Sequence, residues 1–144
     1  MNSFRRASLG AALLLMQLDC DASAQEGPKA YACTFKDGAS FAYEKGAFNG
    51  AAAASDLAFE VAAIDMDKQT ATLIVGEKHI PLKVVQAISA THFIELAGEG
   101  YLNLTTIYSQ VGNDAAYPAV HSRHFGVLGQ PLVSQYRGVC KPKG

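Results

Sequence analysis

Apolar and polar residues alternate with a period of two along most of the chain, the mark of strands that bury one face. Tyr31, Cys33 and Phe35 share one face of a first strand. Lys36-Asp37-Gly38 follows, and Asp-Gly between two alternating runs predicts a hairpin turn. The return strand sets Ala39, Phe41 and Tyr43 on one face, with Ser40 and Glu44 on the other. Residues 45–56 are rich in glycine and alanine and read as a loop with room for one helical turn.

A meander comes next. Leu57, Phe59, Val61 and Ala63 alternate with Ala58, Glu60 and Ala62, and residues 65–68 (DMDK) make a turn. Ala71, Leu73 and Val75 alternate with Thr70, Thr72 and Ile74, and Gly76-Glu77 turns again. Ile80, Leu82 and Val84 form the next apolar face. Pro81 has no N–H to give to a ladder, so that strand is expected at an edge or a bulge. Thr91 to Ala97 and Tyr101 to Tyr108 read as two strands reversed at Gly98-Glu99-Gly100. After the turn residues Gly112-Asn113-Asp114, Tyr117 to Phe125 and Leu132 to Cys140 complete the series. Short strands at this spacing, with almost no helical periodicity, predict an all-β domain. The expected form is a small antiparallel β-barrel or sandwich of about eight strands.

The first 24 residues have a different pattern. Arg5 and Arg6 precede the aliphatic run from Leu9 to Leu18, and Ala22-Ser23-Ala24 supplies small residues at a cleavage position. That order is a secretory signal peptide. The run is well short of the ~20 residues a spanning helix needs, and no second run of the kind follows. The expectation is a single domain over residues 25–144, periplasmic or secreted, with no transmembrane anchor. A lipid-modified Cys20 is the rival reading, but Gln17 and Asp19 depart from the small, uncharged residues that precede such a cysteine.

Charge changes little in this picture. Cleavage removes Arg5, Arg6, Asp19 and Asp21, two of each sign, so the net charge stays at −1. That balance exerts no long-range pull on nucleic acid or an anionic membrane. Two cysteines remain, Cys33 and Cys140. In an oxidising compartment such a pair predicts a disulfide. Both lie on the apolar faces of their strands, so the bond is expected to face inward and tie first strand to last.

Candidate chemistry gathers in the last third. His121-Ser122-Arg123-His124 is the most nitrogen-rich cluster. Two histidines three apart point to opposite faces of a straight strand, so a shared metal needs a turn or bulge and a third ligand from elsewhere. Arg123, with Tyr108, Tyr117 and Tyr136, suggests a binding surface. Tyrosines offer contact area at low entropy cost, and arginine offers a planar fork for a carboxylate or phosphate. Asp65-Met66-Asp67 lacks the glycine and distal glutamate of a calcium loop. Asn103-Leu104-Thr105 spells a glycosylation sequon within a strand. Ser122 lies in no G-x-S-x-G frame. Neither a catalytic set nor a cofactor motif is evident.

Four segments carry a resemblance: YACTFKDGASFAY (31–43), LNLTTIY (102–108), YPAVHSRHFGVLGQP (117–131) and LVSQYRGVC (132–140). Together they resemble small exported proteins of Gram-negative bacteria of unestablished function. That likeness covers most of the mature chain and implies a periplasmic or secreted setting. The cysteine-bearing opening strand with its glycine-containing turn is also similar to periplasmic inhibitors of C-type lysozyme. That family's later serine-glycine-tyrosine stretch has no counterpart, and no residue role carries over.

The functional expectation is a non-enzymatic binding or interaction module that uses the Tyr117–Pro131 region for an unidentified protein or small-molecule partner. The site residues are Tyr108, Tyr117, His121, Arg123, His124 and Tyr136. Alternatives are a lysozyme-type inhibitor, a small metal-dependent or hydrolytic enzyme built on His121 and His124, and a small-ligand carrier.

Overall fold

Each strand pairs with its sequence neighbour, and the last pairs back onto the first. The computed structural model describes residues 27–53, 56–97, 100–127 and 129–144. The expected signal peptide, Cys20 included, lies outside them. The strands are β1 (Tyr31–Glu44), β2 (Ala47–Ala52), β3 (Leu57–Asp65), β4 (Thr70–Val75), β5 (Lys78–Gln86), β6 (Ala90–Ala97), β7 (Tyr101–Tyr108), β8 (Tyr117–Val127) and β9 (Gln130–Pro142). All pairings are antiparallel. β1 and β3–β9 close an eight-stranded up-and-down barrel, and β2 is an extra strand beside the far half of β1. Among the described residues no helix is long and apolar enough to cross a membrane.

The Cys33–Cys140 disulfide lies on the seam. The two residues face each other across β1 and β9, with Cα atoms 4.0 Å apart and both side chains buried. The expected inward staple between the chain's two ends is therefore present, and the sheet it closes is a barrel.

Four local expectations are corrected. Lys36-Asp37-Gly38 does not turn. β1 runs through it for 14 residues, because β9 pairs with it from Tyr31 to Ala42. The register shifts between Phe35 and Asp37, a bulge that bends the strand and reverses its facing. Ala39, Phe41 and Tyr43 consequently point outward, with Phe41 and Tyr43 each 40% exposed, while Gly38, Ser40 and Ala42 take the inner side. The hairpin turn falls at Lys45-Gly46, both with positive φ (51° and 87°), as a two-residue turn between Glu44 and Ala47 requires. Residues 47–52, expected as loop, are strand β2, since the unpaired edge of upper β1 offers them a ladder. Ala63 is not in the apolar face of β3. Its φ of +50° marks a second bulge, which exposes Ala63 and buries Ile64 instead.

The strand that holds Pro81 is neither at an edge nor bulged: β5 lies between β4 and β6 in an unbroken register. Pro81 pairs with Thr72 on β4, and the ladder to β6 begins only at Lys83↔Ile94. Its missing N–H therefore costs no bond on that side. The end of the barrel near the β1–β2 hairpin is the upper end.

Candidate functional site

Inward residues line up in rows across the strands, because residues paired across neighbouring strands share a face. The middle row reads Phe93, Thr105, His121, Tyr136 and Gly38 across β6, β7, β8, β9 and β1. One step toward the upper end lies Glu95, Asn103, Arg123, Ser134 and Ser40. Above that, Tyr101, Phe125, Leu132 and Ala42 form the upper rim.

His121 is the hub of the middle row. It is 3% exposed and packs against Phe59, Phe35 and Tyr136, with ring centroids 5.1, 5.8 and 6.4 Å away. Its Nε2 accepts from Arg123 Nε at 3.3 Å. The proton is then on Nδ1, which donates to Thr105 Oγ1 at 2.9 Å. Burial, and then the Arg123 charge, push its pKa down to about 4. The imidazole is therefore a neutral acceptor that orients the arginine. Tyr136 supports the same guanidinium from below, with Arg123 Cζ 5.6 Å from its ring centroid. Gly38 makes this possible, because a side chain there would meet the Tyr136 ring at 2.5 Å.

Arg123 is half-buried and aligned by His121 and Tyr136, yet no ion pair joins it to any described carboxylate. Beside it Ser40 and Ser134 share a hydrogen bond of 2.9 Å. Over it lies a cleft of about 390 Å³ lined by Tyr101, Phe125, Leu132, Ala42, Gln130 and Pro131. Tyr101 and Phe125 meet edge to face, centroids 4.9 Å apart. A fixed cation thus lies one row beneath an apolar mouth.

The expected site residues divide into three groups. His121, Arg123 and Tyr136 converge. Tyr117 lies at the opposite, lower end, edge-on to Tyr31 with centroids 5.4 Å apart, and Tyr108 stands on the outer face of that end. His124 points outward into a row with Leu102 and Val133. His121 and His124 accordingly face opposite sides of the wall and cannot share a metal. Among the described residues no three His, Cys, Asp or Glu side chains cluster as a metal ion would need.

Glu95, Asn103, Ser40 and Ser134 are the residues that sequence reasoning passed over. Their signal was parity. Glu95 alternates in phase with buried Phe93, and Asn103 with buried Thr105, so each is a polar residue on an inward face. The lower end also opens, into a cavity of about 410 Å³ between Tyr31, Ile64, Met66, Gln86, Thr91 and Phe93. Burial, and then Tyr117, push the Tyr31 phenol up to about 12, so it is a neutral hydroxyl at neutral pH.

No family model matches the chain, and no curated protein matches it.

Proposed function

We propose that this is an exported, non-enzymatic binding module whose ligand enters the upper mouth of the barrel and is held by Arg123. One observation supports the reading most directly. The guanidinium is oriented by two buried aromatic side chains, lacks an acidic partner among the described residues, and lies beneath an apolar cleft. Holding a half-buried cation in one place without a counter-ion gives the fold little, whereas it suits an incoming anion. A planar fork under aromatic walls favours a small carboxylate with an apolar body. Eight-stranded barrels of this width either fill their interior or hold one small ligand, so the carrier reading belongs to the same proposal. The lower cavity, beside the neutral Tyr31 hydroxyl, would be its second opening.

The test is calorimetric titration with 3-phenylpropanoate and with 3-phenylpropanol, which keeps the apolar body and drops the charge. Arg123→Gln should weaken the carboxylate at least tenfold and leave the alcohol unchanged, at an unaltered melting temperature. Equal losses for both ligands, or no loss for either, would remove Arg123 as the anchor.

A further inference from the structure

The row that holds Arg123 carries an acid at its other end. Glu95 on β6 is two strands away, with Asn103 of β7 between them. Glu95 is 8% exposed, and its carboxylate accepts one hydrogen bond, from Asn103 Nδ2 to Oε2 at 2.8 Å. Asn103 thereby commits its amide nitrogen to the acid, and its Oδ1 is left buried with no partner. Unpaired buried oxygens of this kind are rare in native interiors.

Three needs therefore stand side by side on one wall: a cation without an anion, an acid without a cation, and an acceptor without a donor. Adjacent strands lie about 4.8 Å apart, so Glu95 and Arg123 are rooted about 10 Å from each other across Asn103. Asn103, bonded to Glu95, is rooted between them. They do not neutralise each other in the structure, since no ion pair joins them. Directly above, Tyr101, Phe125 and Leu132 present the apolar cleft.

We propose that this row reads a zwitterion: the head group of a free α-amino acid with an apolar or aromatic side chain. The carboxylate pairs with Arg123. The ammonium donates to Asn103 Oδ1 and to Glu95. The side chain rises into the cleft between Tyr101, Phe125 and Leu132. The inference rests on the Arg123 reading above and adds the second charge to it. Selectivity follows from the wall itself, because an analogue lacking the ammonium leaves both the acid and the Asn103 oxygen unmet.

The experiment titrates the mature protein with L-phenylalanine, with 3-phenylpropanoate (the same molecule without its ammonium) and with 2-phenylethylamine (without its carboxylate). L-phenylalanine should bind at least tenfold more tightly than either. Glu95→Gln keeps the side-chain volume and an acceptor for Asn103. It should cost L-phenylalanine at least tenfold while 3-phenylpropanoate changes less than twofold. Asn103→Ala is a second variant that removes the orphan oxygen, with the same expected pattern. Equal affinity of L-phenylalanine and 3-phenylpropanoate for the wild type overturns the zwitterion assignment. So does an equal loss of both ligands in the variants, or undetectable binding of L-phenylalanine. The Arg123 reading is judged separately, on 3-phenylpropanoate against Arg123→Gln.

Discussion

Replacing both cysteines by alanine (Cys33→Ala with Cys140→Ala) should lower the melting midpoint by about 20 °C without changing the fold. The bond closes a loop of 107 residues. Cross-linking a loop of that length removes about 5 kcal/mol of conformational freedom from the unfolded chain. For a domain of this size each kcal/mol moves the midpoint by roughly 4 °C. The native side of the balance changes little. β1 and β9 remain paired on both sides of the bond, from Tyr31↔Pro142 to Ala42↔Leu132, so the barrel has no reason to open there. The variant should therefore keep its far-UV spectrum. Its unfolded state should be more expanded, which raises the denaturant slope m. Urea and thermal unfolding of wild type, reduced wild type and double variant measure all three quantities. A midpoint that falls by less than about 5 °C with an unchanged m would refute the reasoning, because the unfolded chain would then gain no freedom from losing the link.

Three further outcomes follow from the same structure. His121 is held neutral with its pKa pushed down to about 4, against about 6.5 in the unfolded chain. As pH falls the unfolded chain takes up the proton first, so stability present above pH ~6.5 should drop by about 3 kcal/mol on the way to pH ~4. Urea midpoints across that window measure the slope, and an equal slope in His121→Gln would remove this histidine as its source. Gly138→Ala should cost about 3 kcal/mol, since the new carbon would meet the Thr34 carbonyl oxygen at 2.0 Å and force β1 and β9 apart; a near-neutral effect in chemical denaturation would contradict the close seam. Gly50→Ala should cost less than about 1 kcal/mol, because its carbon meets only the exposed Phe41 ring, which can swing aside; a loss as large as that of Gly138→Ala would show the ring to be fixed.

Much of the fold is legible in the residue order, and the errors of facing have one cause. Alternation identifies the meander from β3 to β7, and turn residues locate most reversals. What alternation cannot reveal is a bulge, because one extra residue flips every later side chain to the other face. Among the described residues two bulges occur, at Phe35/Asp37 and Ala62/Asp65. The first turned Phe41 and Tyr43 outward and brought Ser40 into the inner row beside Ser134. It also made Asp37-Gly38 a strand segment, since pairing with β9 outweighs the local preference of Asp-Gly for a turn. Half of the site was visible for a simpler reason. His121, Arg123 and Tyr136 carry conspicuous chemistry at inward positions, whereas Glu95 and Asn103 are ordinary residues whose interest lies only in what they face.

By itself the sequence determined that the chain makes short strands with one apolar face, and that Cys33 on the first and Cys140 on the last lie on such faces. Those are local properties, set by side-chain period and backbone preference. The cysteine pair already implied that the first and last strands meet; only the tertiary structure decided that the sheet they close is a barrel rather than a sandwich. It also decided which strands stand side by side, and hence that an arginine, an asparagine and a glutamate separated along the chain form one row beneath an apolar mouth. The physical reason is that cross-strand neighbours are chosen by register over the whole sheet, and no segment carries that information alone.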